Sequence, residues 1–511
     1  MFAIQAVNGS TSKHAFSVDW GMTTIYTGAL VRDGKEHPSR VIVEPGTRNL
    51  YIVGKRGTQP TEETTPGGAS ANHWAERAFL LKLDKQGNVL WNRELNKDGM
   101  QNDPNGQTWR RYSRFDDVCI NSLTGDVYVV GYTDAHYGDH YEWIGRRGDC
   151  LVAKYSSSGT LQWQKFYGRN LTEWGQGVTW YPSGDEFNQC FPFSDGRFVA
   201  AGPTTNHDGG YVHNSINWNA MLTAWNSNGT VSWSKWISVD GTQNNTSSNV
   251  STTIWRDPAM GVDDSDNVYM LVFRWNPADT GDHVIKFNSS GTVQWKKKID
   301  HLAFEKFYDH MAVSKSGDVY IQSSDSDKIV KLNTSGTVQW TKSFPGVGAN
   351  GINQMTTDEY DNLWLAGYTG EAVCIDSNGN IIRAVQMTTS SAGIWFTNLT
   401  INEGYITMLT QARTLGRNQS NMWEANVGVI RGDIYGLNNG SYTHTNSDNT
   451  TLTVTISTPS TSSPTNYSNP TVSNSSASVI DYPGSGSVRL NNGSCTSFTN
   501  SSPFHSATLT V

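Results

Sequence analysis

Few residues in this chain have the type and spacing that catalysis or metal binding needs. The segment TDAHYGDHYEW brings together Asp134, His136, Asp139, His140 and Glu142. His136 and His140 have a metal-ligand spacing, but only on a helix, and Gly138 between them marks a loop. The clusters DDSDN (263–267) and DEYDN (358–362) open like a calcium loop. They lack its Gly and distant Glu, and Asp and Asn are what a tight turn uses anyway. No Ser-His-Asp order and no nucleophile elbow is visible. The five cysteines, Cys119, Cys150, Cys190, Cys374 and Cys495, are odd in number and form no CxxC pair. Neither a disulfide framework nor a zinc site is expected, and no cofactor.

Two other groups stand out. Asp117, Asn188, Asp309 and Asn353 recur two residues before Cys119, Cys190, Met311 and Met355, with Met260 in the same sulfur series. They are expected to line the mouth of a central channel or to cap backbone donors there, while the sulfur groups pack in the interior. A carboxylate pair for glycoside hydrolysis would have to face one cavity; Asp117 and Asp309 come from the second and fifth repeats, on opposite sides. The second group is Trp109, Trp143, Trp174, Trp180, Trp218 and Trp255 with His136, His140, His207 and His213. Aromatic rings interleaved with polar groups suit stacking on sugars or a protein contact. The alternative is that these rings fold under the loops as small local cores.

What must position them is a repeat. FLLKLDKQGNVLW (79–91), LVAKYSSSGTLQW (151–163), MLTAWNSNGTVSW (221–233), HVIKFNSSGTVQW (283–295) and KIVKLNTSGTVQW (328–340) each read as strand, Gly turn, and a strand with Trp four residues after Gly. A sixth copy keeps Gly379 but has Arg383 in place of Trp. Gly serves a turn that needs positive φ, and a Trp at a fixed place can lock neighbouring repeats together. Between these hairpins lie seven further strands: NLYIVG, DVYVVG, RFVAAG, NVYMLV, DVYIQS, NLWLAG and GYITML. A unit is thus four strands, a to d. The seventh unit has NVGVIRG (426–432) as third strand but no fourth. FSVDW (16–20) has the shape of GTVQW (336–340), so the N-terminus is expected to close the ring, with Trp20 standing where Trp340 stands.

The expected fold is an all-β, seven-bladed β-propeller closed by the N-terminal strand and spanning residues 1–435. The Gly-x-x-x-Trp copies resemble the pyrroloquinoline-quinone-like bacterial β-propeller repeats, over roughly residues 16–432. The resemblance implies the architecture. The quinone enzymes among these proteins carry a vicinal Cys pair and a Ca²⁺ site; no two cysteines are adjacent here, which argues against quinone chemistry.

Composition bounds the rest. The chain has 511 residues, 16% charged, with a net charge of -8, which disfavours nucleic acid as a partner. No apolar run reaches the roughly 18–20 residues of a membrane span, and the N-terminus has neither the basic nor the apolar region of a secretory signal. Residues 436–511 lose nearly all charge and alternate Thr/Val strands with Ser/Asn/Pro/Gly turns; a small β-sandwich-like module is expected. Its style resembles bacteriophage tail-fibre and other virion proteins.

In a propeller the a–b and c–d turns share one face, and the b–c loops and d–a connections share the other. Here the first set is short and the second long, most of all in units one to four. The long-loop face is therefore the expected binding face. The leading functional expectation is a non-enzymatic binding or structural protein of a virion or cell surface. It would recognise a host glycan or protein and be held in an oligomer or assembly with other virion or surface proteins. The alternatives are a propeller glycoside hydrolase or lyase acting on surface polysaccharide, and a quinoprotein-like scaffold.

Overall fold

A computed structural model describes residues 36–58, 75–85, 89–96, 101–102, 108–109, 113–133, 149–169, 185–205, 218–238, 259–272, 281–300, 308–323, 327–344, 352–367, 370–389, 394–413, 425–433, 440–445, 451–458, 463–466, 469–475, 478–481, 488–492 and 496–498. Every regular element among them is a strand. Consecutive strands pair antiparallel in four-stranded sheets, written here a to d. Sheet 1 is Glu36–Val43, Leu50–Thr58, Ala75–Leu83 and Val89–Asn96; sheet 2 is Ser113–Ile120, Val127–Thr133, Asp149–Tyr155 and Leu161–Arg169. Sheet 3 is Gln189–Pro192, Phe198–Thr205, Trp218–Trp225 and Val231–Ser238; sheet 4 is Ala259–Val262, Val268–Val272, Gly281–Phe287 and Val293–Asp300. Sheet 5 is Tyr308–Val313, Val319–Ser323, Lys328–Leu332 and Val338–Ser343; sheet 6 is Ile352–Thr357, Leu363–Gly367, Glu371–Ile375 and Ile381–Thr389. Sheet 7 has three described strands, Ile394–Asn402, Tyr405–Arg413 and Ala425–Asp433. The a strand of each sheet lies against the a strand of the next, and that of sheet 7 against that of sheet 1. The ring is a β-propeller with its core between the sheets, where the b and c strands are buried on both faces and largely apolar.

The Gly-x-x-x-Trp repeat has a direct physical account. Each d-strand Trp reaches across to the c–d turn of the following sheet. Its indole N–H donates to the carbonyl two residues before that turn's Gly: Trp91 to Ser157 (3.2 Å), Trp163 to Ser227 (3.0 Å), Trp233 to Ser289 (2.9 Å), Trp295 to Thr334 (3.0 Å) and Trp340 to Ser377 (3.0 Å). The ring lies on the Gly itself. A Cβ on Gly159 would come within 2.7 Å of the Trp91 ring, and one on Gly291 within 2.6 Å of the Trp233 ring. Those two glycines also hold φ of +82° and +77°, so both the turn and the packed ring require Gly. Lysines strengthen the same boundaries. Lys82 and Lys331 lie over the rings of Tyr51 and Tyr320 and donate to the Ser157 and Ser377 carbonyls.

The C-terminal segment corrects the expectation of a separate sandwich. Thr451–Ser457 pairs with the d strand of sheet 6, and Gly440–Thr445 pairs back on it as a hairpin. The chain then retraces the ring. Thr465–Asn466 pairs with sheet 5, Val472–Asn474 with sheet 4, Ser478–Asp481 with sheet 3, Val488–Asn492 with sheet 2 and Thr496–Phe498 with sheet 1. All are antiparallel additions to outer edges. The physical reason is that each d strand presents a row of unpaired N–H and C=O groups, a ready template for any extended segment. Residues 16–20, on which closure by the N-terminus was expected, lie outside the described residues.

Candidate functional site

The b-strand pairing defines equivalent positions on the inner strands. Arg40 lies opposite Val53, Asp117 opposite Val130, Gln189 opposite Ala201, Ala259 opposite Leu271, His310 opposite Gln322, Gln354 opposite Ala366 and Asn398 opposite Leu409. At four of the sheet boundaries the residue that follows this position donates its backbone N–H to the side chain at the same position of the preceding sheet. Asn398 Oδ1 accepts from Val41 N (3.2 Å), Asp117 Oδ2 from Cys190 N (2.8 Å), Gln189 Oε1 from Met260 N (2.6 Å) and Gln354 Oε1 from Leu399 N (2.5 Å). At the boundary between sheets 1 and 2, Arg40 occupies the accepting place and is a donor only. It therefore forms an ion pair with Asp117 Oδ1 at 3.3 Å, and that same oxygen accepts from Val118 N at 2.8 Å. Asp117 thus holds sheets 1, 2 and 3 together. Burial pushes its carboxyl pKa up, against the lowering by Arg40 and the two N–H groups.

This register corrects the sequence alignment by one residue. Val118, not Cys119, is the counterpart of Cys190, Met260, Met311 and Met355. Asp117 likewise does not share a position with the other three. Asn188 precedes the equivalent Gln189, while Asp309 and Asn353 fall on β-bulges, between Tyr308 and His310 and between Ile352 and Gln354. The cause is the a–b turn: between the paired ends of the a and b strands it holds residues 121–126 in sheet 2, one more than the 193–197, 263–267, 314–318 and 358–362 of sheets 3 to 6. The bulges recur at the same place in the inner strands, and the Gly ending several b strands marks them. A Cβ at Gly131 or Gly202 would lie 2.1 Å from the Arg114 carbonyl oxygen or 1.7 Å from that of Glu186, so the distorted inner strand needs a bare backbone opposite.

At the start of the inner strands, toward the b–c loops, Arg114 Nε donates to Asp116 Oδ2 at 3.0 Å and its Nη2 to Glu186 Oε1, joining sheets 2 and 3. Burial opposes the guanidinium charge, but the two carboxylates more than offset it and raise its pKa. Asn188, 8% exposed, has no partner on either side-chain polar atom among the described residues. The acidic turns are anchored internally. Asp263 Oδ1 accepts from Ser265 N and Asn267 N at 2.9 Å, and Asp358 Oδ1 from Tyr360 N and Asn362 N at 2.9 Å, which is the turn reading of DDSDN and DEYDN.

Of the expected aromatic face, Trp109 ends a two-residue strand paired with Gln101–Asn102, and Trp218 begins the c strand of sheet 3 opposite Thr205. Trp143, Trp174, Trp180, Trp255, His136, His140, His207 and His213 lie outside the described residues. The stems beneath the loops are described. The b–c pairing runs to Thr58–Ala75 in sheet 1, Thr133–Asp149 in sheet 2, Thr205–Trp218 in sheet 3 and Arg413–Ala425 in sheet 7. In sheets 5 and 6 the b strands end at Ser323 and Gly367 and the c strands begin at Lys328 and Glu371. The sheets with long b–c loops, 7, 1, 2 and 3, are consecutive around the ring.

No family model matches the chain, and no curated protein does. Among solved structures it is similar to virginiamycin B lyase from Staphylococcus aureus, at 10% identity and TM-score 0.42, over 80% of this chain and 99% of that one. It is also similar to BamB from Moraxella catarrhalis, at 13% identity and TM-score 0.33, over 80% and 88%. The WD40 propeller domain of Doa1 is similar at 10% identity and TM-score 0.37, over 86% and 97%. The activities of these proteins do not transfer at such distances, and the fold stands on the sheet topology above.

Proposed function

We propose that this propeller is a binding protein of a virion or cell surface that meets a host glycan or a partner protein through its b–c loops. The observation that carries this reading is the contiguous arc of long loops. Four neighbouring sheets, 7, 1, 2 and 3, lift extended hairpins from one face, each from a stem paired to its end. Function rides on elaborated loops over a rigid scaffold, and this scaffold is fastened at both the inner and the outer part of its boundaries. The inner polar groups favour binding over hydrolysis. Both oxygens of Asp117 are engaged by N–H groups and Arg40, and Asp116 and Glu186 by Arg114. A glycosidase needs two carboxylates turned to one substrate. Trp109, Trp143, Trp174, Trp180 and Trp218 are the proposed contact residues, since large rigid aromatics dominate hot spots. Alanine at any two should leave the denaturation midpoint unchanged and weaken attachment to target cells, by about 1–3 kcal/mol each. Loss of stability with attachment intact would make these rings local core instead.

A further inference from the structure

The inner strands of sheets 2 and 3 bring two thiols face to face. Asp117 reaches Cys190 N of sheet 3, so its side of the inner strand looks toward that sheet. Side chains alternate along a strand, and no bulge falls between Asp117 and Ile120, so Cys119 looks the same way. Gln189 reaches Met260 N of sheet 4, so Cys190, the next residue, looks back toward sheet 2. Both cysteines are buried in one apolar cluster, and their side chains hydrogen-bond to each other. Other boundaries place ordinary packing pairs here: Ile42 with Val118, Phe191 with Met260, and Ala312 with Met355. Among the described residues, no other boundary holds two cysteines at this place. The Asp117 bond to the backbone N–H of Cys190 itself, 2.8 Å long, fixes the approach of the two strands at the thiols.

We propose that Cys119 and Cys190 are a disulfide site, oxidised by exchange with a small-molecule disulfide, whose bond fastens sheet 2 to sheet 3 beside the axis of the ring. Thiols in contact need only a small approach of their sulfur atoms to reach bonding geometry. Oxidised glutathione serves as the oxidant. The thiolate of one cysteine attacks it, forming a mixed disulfide and releasing one glutathione thiolate. The second cysteine, also as thiolate, attacks the protein sulfur of the mixed disulfide and releases the other glutathione. The glutathione S–S bond is lost and the protein S–S bond is gained. The two electrons given up by the cysteines reduce glutathione, and the two protons end on its thiols. Burial, and after it the hydrogen bond with Cys119, hold the Cys190 thiol above its ordinary pKa, so the closed boundary contains little thiolate. Exchange therefore takes place while sheets 2 and 3 are still apart, during folding in an oxidising medium. Once formed, the bond closes the long loop between the two inner strands, and a long loop is where a cross-link constrains the unfolded chain most.

The test is refolding of the full chain in a mixture of reduced and oxidised glutathione. Free thiols are then blocked under denaturing conditions, and peptides are mapped by mass spectrometry without reduction. The expected result is a cross-linked peptide joining Cys119 to Cys190. The oxidised protein should also have a higher urea midpoint than the same protein refolded with reductant. In Cys119→Ser the two refolding conditions should give the same midpoint. Three results overturn the proposal. One is folded wild-type protein that leaves Cys119 and Cys190 free after oxidative refolding. Another is a bond of Cys190 with Cys150, which lies in the same cluster on the c strand of sheet 2, or with a second chain. The third is a Cys119–Cys190 bond that leaves the midpoint unchanged or lowers it, which would mean that it does not fasten the sheets. The peptide map and both midpoints of the wild-type chain decide even if Cys119→Ser fails to fold.

Discussion

The outer and inner halves of the sheet boundaries solve the same problem in opposite ways. Outside, one device is copied: five tryptophans donate to the carbonyl at the same place in the next turn. Inside, the equivalent position holds Arg40, Asp117, Gln189, Ala259, His310, Gln354 and Asn398, and the blades are joined by whichever side chain can accept a backbone N–H. The difference is one of geometry. A bulky ring on a bare Gly admits a single arrangement, so the pair recurs in the sequence. A backbone N–H is satisfied by any acceptor of the right reach, so the inner position varies and one member, Arg40, reverses the polarity.

The comparison predicts a ranking. Asp117→Ala should have the largest effect, about 3–5 kcal/mol in urea denaturation, because it strands Arg40 and two buried N–H groups at once. Asp117→Asn should cost less, since its amide oxygen can still accept from Cys190 N. The pH dependence sharpens this. Burial raises the Asp117 pKa in the fold, so the carboxyl's contribution is most favourable below the unfolded value near 4 and declines as pH rises toward the folded pKa. The cost of Asp117→Asn, measured from pH 4 upward, should therefore shrink with rising pH; a cost that grows would show that the Arg40 pair outweighs burial. Next comes Gly291→Ala, about 2 kcal/mol, from the clash with Trp233 and the positive φ. Trp163→Phe should be smallest, about 1 kcal/mol, because it removes one hydrogen bond and keeps most of the ring. If Trp163→Phe exceeds Gly291→Ala, the indole hydrogen bond and not the ring–Gly packing holds the outer boundary.

The same contrast explains what could be read in the sequence. The Gly-x-x-x-Trp copies were legible because each residue has one partner at one offset, which gave the repeat, the blade and the outer lock. The inner ring was misaligned by one residue at Asp117, because the a–b turn of sheet 2, residues 121–126, is one residue longer than its counterpart 193–197 in sheet 3, and counting back from the b strand does not reveal the difference. The C-terminal strap was legible as strands but not as a strap. Alternating Thr and Val in Thr451–Ser457 specify an extended segment and not which edge receives it. The buried His283 Nδ1, 2.6 Å from Ser475 Oγ, shows that the strap also makes specific side-chain contacts, and these have no local sequence pattern.

Binding through the long-loop face is tested most directly by moving loops between sheets. Residues 134–148 of sheet 2 would be replaced by residues 324–327, the short b–c connection of sheet 5. The control carries Leu123→Ser and Tyr360→Ser, two exposed apolar residues on the opposite, short-turn face. Attachment to target cells and the denaturation midpoint would be measured for both. The account predicts that the loop replacement keeps the midpoint and loses attachment at least tenfold, while the control retains it. Attachment that survives the loop replacement and is lost in the control would place recognition on the short-turn face and contradict it.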